Sequence, residues 1–419
     1  MILLRKRSSP LLVLGMAAAL AGCGNEKMEA ELASPLYAEP VAATPVATVD
    51  AGEALPAERA PEIPPARRVF SLGAADGDER YLFGQIADVA TSGGGDTVYV
   101  LDRMERRVKA FDAAGEFLFD FGRGGDGPGE YQSPSSLVTL PWNGRLAVWD
   151  WEQQRLTVLT PEGKVVETLR PLPEGKQGVV RTGQRLRAYR DGFIIEVRSD
   201  PLVVPPARQR GYLVRLDTLG QARDTVLDFA IPTIEAEQRT YGTSGTSYHW
   251  SAPPHLSPRP TWDAFPDGSV AFVPGGPYEV YRVEADRTVR RIARPWNPRA
   301  ITRRERVINL RETQERGGYG AQIPMLLLEA VNRKYFAATR PALSGALALE
   351  DGGVAARRFD VEDEWEGRSR TWDEYAPAGA PRGSIRYPQG FEPLLSRHGL
   401  VYGVRRDELA VDHLEAYRR

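Results

Sequence analysis

A single cysteine, Cys23, and four histidines are all that the 419 residues offer of the usual soft metal ligands. One cysteine excludes an internal disulfide framework. His249, His255, His398 and His413 are scattered, so no Cys/His spacing of the zinc-binding kind exists. Long apolar runs are also missing. The stretch Leu11–Leu20 is too short to span a bilayer as a stable helix, and nothing after it approaches that length. There is no excess of positive charge: 54 Lys and Arg face 56 Asp and Glu, scattered along the chain. The basic face that a nucleic-acid binder needs is therefore not expected. No G-x-S-x-G elbow and no G-x-x-x-x-G-K-[ST] loop occurs, which removes the common signatures of a serine hydrolase and of a phosphate-binding loop.

What is present begins at the N-terminus. Arg5, Lys6 and Arg7 precede the apolar run, which ends in "LAGC", Leu20 to Cys23. This order reads as a secretory signal peptide over residues 1–22. Its end resembles a bacterial lipobox, which implies that Cys23 becomes the lipidated first residue and anchors the chain to a membrane. Gly24, where an aspartate would favour inner-membrane retention, directs the expectation to the outer membrane, facing either the periplasm or the outside. Removal of the signal peptide leaves 51 basic against 56 acidic residues, a net charge near −5. Residues 23–66 are rich in Ala, Pro and Glu and contain no Trp or Phe, so they read as a disordered tether. As a flexible coil it would reach roughly 35–40 Å.

The remainder, 67–419, is organised by a repeat. A turn glycine followed by a β-rich run occurs six times: "SGGGDTVYVLD" (92–102), "PWNGRLAVWD" (141–150), "RDGFIIEV" (190–197), "PDGSVAFV" (266–273), "EDGGVAARRF" (350–359) and "SRHGLVYGV" (396–404). Glycine at such turns supplies the positive φ of a tight hairpin. A second strand–turn–strand element follows several of them, as in "VKAFDAAGEFLFDF" (108–121) and "LTVLTPEGKVVETL" (156–169). Together they make a four-stranded antiparallel unit. The spacing of just under fifty residues predicts an all-β, six-bladed β-propeller. The last blade lacks an outer strand, and "RRVFSLG" (67–73) is available to close the ring. Residues 297–339 read as a helical insertion between blades four and five. Thr302-x-x-Glu305 forms a capping box, Pro324 can open a second helix, and Ile323, Leu327, Val331 and Tyr335 share one face. The insertion either covers one end of the propeller or forms a lid or partner surface.

Blade one, "GQIADVATSGGGDTVYVLDRMERRVKAFDAAGEFLFDFG", resembles an NHL-type repeat. With the lipobox, the tether and "FGRGGDGPGEY" (121–131), the chain resembles bacterial six-bladed β-propeller lipoproteins. The resemblance implies a fold and an export route but no reaction, because propellers carry many activities.

The glycines Gly122, Gly124 and Gly127 match G-x-G-x-x-G, but Pro128 and Gly129 follow at once and no helix begins there. The loop reads as a connector between blades, with Arg123, Asp126 and Glu130 as candidate contact residues. Further candidates are Tyr241, Tyr248 and Trp250 in a loop-like insertion, and Trp365 and Trp372 within the acidic run "DVEDEWEGRSRTWDEY" (360–375), which otherwise reads as an exposed hairpin. Two functions remain. One is a monomeric, non-enzymatic binding or scaffold module of the cell envelope, holding a protein, peptide or glycan. The other is a hydrolase, lactonase or lyase with a divalent ion such as Ca²⁺ in the channel, held by oxygen ligands from several blades.

Overall fold

The computed structural model describes residues 67–171, 180–199, 209–231, 255–257, 259–315, 336–359 and 370–418, with strand segments at 47–50, 234–235, 239–241, 246–248 and 251–252. The chain is an all-β, six-bladed propeller. The inner strands of blades one to six are Ile86–Thr91, Pro134–Thr139, Val180–Tyr189, Thr261–Ala264, Leu343–Ala348 and Phe391–Arg397. They neighbour one another in a closed ring. Outward from each run three further antiparallel strands. Blade six takes its fourth strand from the beginning of the domain: Arg67–Leu72 pairs antiparallel with Asp412–Arg418, Leu72 opposite Leu414.

The strands are apolar on both faces because each blade packs between two others. In the second strand of blade two, Ala147 faces the blade-three core with Trp149, while Val148 faces the blade-one core with Leu146. Six such clusters fill the six blade interfaces. This two-sided burial explains why the strands read as near-continuous apolar runs rather than clean alternation. Trp372 belongs to these interfaces. It is 1% exposed and packs with Ile385, Tyr387 and Phe391, so it has no surface to offer a ligand. Its strand, Arg370–Tyr375, lies inside blade five, and its alternate residues must fill the gap to blade six.

The connectors divide by length. On one face every turn between first and second strands, and every described turn between third and fourth, has two to six residues. The connections that begin or end on the opposite face include 122–133, 170–179, 231–260 and 294–342. Within the last of these, Arg303–Glu315 is helical. Thr302 Oγ1 accepts from the Glu305 amide (3.2 Å) while the Thr302 amide donates to Glu305 Oε2 (2.7 Å). The residues expected to form the second helix lie outside the described ones. Ala47–Asp50, inside the stretch expected to be a tether, pairs in parallel with Val289–Ala293 as a fifth strand of blade four. An outer edge with unpaired backbone groups accepts such a strand.

Candidate functional site

The inner strands set the chemistry of the central channel. In blade one the register shifts between Ile86 and Asp88, leaving Ala87 as an extra residue. Such a bulge re-aims the side chain that follows. Asp88 then accepts from two amides, Val89 on Oδ1 and Leu137 of blade two on Oδ2, each at 3.0 Å. Arg187 of blade three donates through Nη1 to Asp88 Oδ2 (2.9 Å) and through Nε to Asp263 Oδ1 of blade four (2.8 Å). Asp263 Oδ2 accepts from the Ala348 amide of blade five (2.9 Å), and Arg187 Nη2 reaches the Leu394 carbonyl of blade six (3.5 Å). One guanidinium thus ties all six blades together. Burial lowers the pKa of Arg187, but the two carboxylates outweigh it and hold the group above the usual arginine value.

This donor set does not fit a divalent cation. The two carboxylates are bridged by a positive guanidinium, and three backbone amides also donate to them, two to Asp88 and one to Asp263. Among the described residues no three of His, Cys, Asp and Glu converge as metal ligands.

Arg187 also floors a cavity of about 80 Å³ at the short-turn end of the channel, lined by residues of all six blades. Besides Arg187, its polar residues are Thr91, Thr139, Asp263, Ser396 and Arg397. Thr91 Oγ1 lies 3.1 Å from His398 Nε2, and Thr139 Oγ1 donates to the Thr91 carbonyl (2.6 Å). At the other end, Arg103 donates to the Pro134 carbonyl (3.2 Å), and Arg185 donates to the Trp262 carbonyl.

The glycine-rich loop is braced by its own side chains. Glu130 accepts from the Gly127 amide (2.8 Å) and from Arg123 Nε (2.8 Å). Asp126 Oδ1 accepts from Gln132 and Gln153, each at 3.0 Å, and buried Arg155 donates to the Asp126 carbonyl (2.6 Å). A phosphate would need those amide and guanidinium donors free and a helix behind them. Neither condition holds. At Gly125, with φ of +150°, a Cβ would meet Glu130 Oε2 at 2.2 Å, which explains that glycine. Of the three loop candidates, Arg123 and Asp126 remain exposed while Glu130 is half-buried.

Tyr241 and Tyr248 lie on a short hairpin, Arg239–Tyr241 with Thr246–Tyr248, whose side chains are not among those described. Trp250 and Trp365 lie outside the described residues. His255 packs against Phe336 with tilted rings, centroids 5.2 Å apart, and burial lowers its pKa, while His413 pairs with Asp407 (2.9 Å). Sequence reasoning missed Asp88, Arg187, Asp263 and Arg397. The available signal was a charge inside the inner strands of blades one, three, four and six, shortly before the repeated turn.

Residues 76–168 match a family described as a 6-bladed beta-propeller. Solved structures extend the propeller likeness to most of the chain. A Bacteroides vulgatus protein described as a member of the DUF4221 family superposes with a TM-score of 0.51 at 10% identity, over 84% of this chain and 96% of that one. An exported protein of Bacteroides fragilis gives 0.44 at 12% identity, over 83% and 94%. A virginiamycin B lyase from Staphylococcus aureus gives 0.40 at 11% identity, over 81% and 83%. At these identities the likeness concerns the propeller fold alone. No curated protein matches the chain.

Proposed function

We propose that this propeller is a lipid-anchored binding module of the bacterial cell envelope. Cys23 carries the lipid, the anchor is in the outer membrane, and a protein, peptide or glycan is held as a non-enzymatic cargo by a monomer. The observation that carries the reading is that the long connectors leave and rejoin the strands of the ring on one face. In repeat architectures, insertions gathered on one face mark the binding surface. The channel supports it from the other side: a site for metal-assisted hydrolysis would need open oxygen ligands, and Arg187 bridges those of Asp88 and Asp263.

The test has two arms. C23S is expected to lose fatty-acid labelling and to move from the membrane to the soluble envelope fraction; retention in the membrane would sink the anchor. A photo-cross-linking residue at Arg123, on the long-connector face, is expected to trap one discrete adduct in cells. The same residue at Asp286, in a short turn of blade four, is expected to trap none. Equal adducts from both positions, or none from either, would remove the connector face as the binding surface.

A further inference from the structure

The short-turn end of the channel carries an arginine that the fold does not use. Arg397 closes the inner strand of blade six and lines the cavity above Arg187. It is half-buried. Among the described residues no acceptor hydrogen-bonds its guanidinium and no carboxylate lies within ion-pair distance. Glu350 and Asp263 act on it only at longer range, and burial holds its pKa below the ordinary arginine value. Arg187, below it, is already engaged by two carboxylates, Asp88 and Asp263. A planar fork of N–H donors with no acceptor from the described residues is left available to a ligand from outside the chain.

From this geometry we infer that the cavity is a subsite for a carboxylate with a short apolar tail. The guanidinium fork of Arg397 matches the two oxygens of a carboxylate. Ser396 adds a donor: its Oγ accepts from the Glu350 amide (3.2 Å), leaving its own proton free. Val89, Leu137, Phe265, Leu349 and Leu395 supply the apolar part of the wall, beside Thr91, Thr139 and Asp263, whose carboxylate is held by Arg187 and the Ala348 amide. Arg397 offers a single guanidinium, and Asp263 and Glu350 act on it at longer range, so the subsite suits a monoanion better than a phosphate dianion. A volume of about 80 Å³ admits a small acid or the last residue of a peptide, not a folded partner. The site lies on the face opposite the long connectors, so it stands or falls independently of the envelope-binding surface.

Calorimetric titration of the full-length chain in non-ionic detergent tests this, using acetate, butyrate and hexanoate as probes, with butyramide as the uncharged control. Butyrate is expected to bind saturably, more tightly than acetate, and butyramide not at all. R397Q is expected to weaken butyrate binding roughly 10–100-fold, the loss of a charge-assisted bidentate contact. A188L provides a second route, filling the cavity while keeping the guanidinium, and should abolish binding even if R397Q folds poorly. A peptide ending in valine, free or amidated, separates the sources. Binding of the free form alone assigns the subsite to peptide C-termini, and binding of the short acids alone assigns it to free carboxylates. No saturable binding of any carboxylate, or butyrate binding unchanged in both R397Q and A188L, overturns the inference.

Discussion

Arg187 joins two carboxylates that lie 99 and 76 residues away along the chain. Buried charges of this kind are held by geometry, and removing one partner leaves the others uncompensated. R187M is therefore expected to destabilise the propeller by about 3–5 kcal/mol, read as a lowered urea midpoint. The triple variant D88N, R187M, D263N removes every charge at once and should cost less than R187M alone. A larger loss in the triple variant would mean that the charges are not acting as one unit. The sequence shows these charges within inner strands but not that they meet. Each of the three residues reads locally as one polar position in a strand, and only closure of the ring brings them together. Arg397 was hidden for the same reason: a missing partner is a property of three-dimensional surroundings.

Strands and turns were far more readable. The six turn-plus-strand segments occupy the second strand of each blade, because a glycine at positive φ and an apolar run are both local requirements. The G-x-G-x-x-G match was separable from a cofactor loop by the same local logic, since Pro128 and Gly129 leave no helix. Trp372 failed because acidic neighbours suggest exposure, whereas blade packing decides burial residue by residue. The segment Arg67–Leu72 shows what ring closure requires. It covers the edge of Asp412–Arg418 and buries Leu72 against Leu414, Ala416 and Phe111. Arg68 and Ser71 also reach Glu415 Oε1, at 3.1 and 3.3 Å. A chain truncated to begin at Gly73 loses the burial of Phe70 and Leu72, about 3 kcal/mol or more. It also exposes a strand edge that can pair with another molecule. The expected result is a lower unfolding midpoint together with concentration-dependent association on size-exclusion chromatography. A truncated chain that stays monomeric with an unchanged midpoint would show that the closing strand is dispensable.

At the scale of the whole molecule, the acid limit of the ring is set by carboxylates at its seams. Asp373 joins blades four and five: Arg358 donates to both of its oxygens (2.8 and 2.9 Å), Ser384 adds a bond (2.5 Å), and Tyr278 reaches it from the neighbouring blade. Burial pushes the Asp373 carboxyl up, but Arg358, Ser384 and Tyr278 outweigh it and hold the pKa below the ordinary 3.8. Glu415, which ties down the closing strand, moves the same way: burial raises its pKa and Arg405, Tyr417 and Arg68 lower it further than that. A carboxyl whose folded pKa lies below its unfolded value contributes stability above the unfolded value and loses it as pH falls through the folded one. The propeller should therefore hold a stability plateau near neutrality and weaken below about pH 4, first at these seams. D373N places the test on one group. At neutral pH it leaves Arg358 without its buried partner, a loss of about 3–5 kcal/mol. As pH falls below the ordinary carboxyl range, wild type loses the same interaction by protonation, so the two urea midpoints should converge. A gap that stays constant down to pH 2.5 would show that ionised Asp373 does not hold the seam, and that the acid limit lies with other groups.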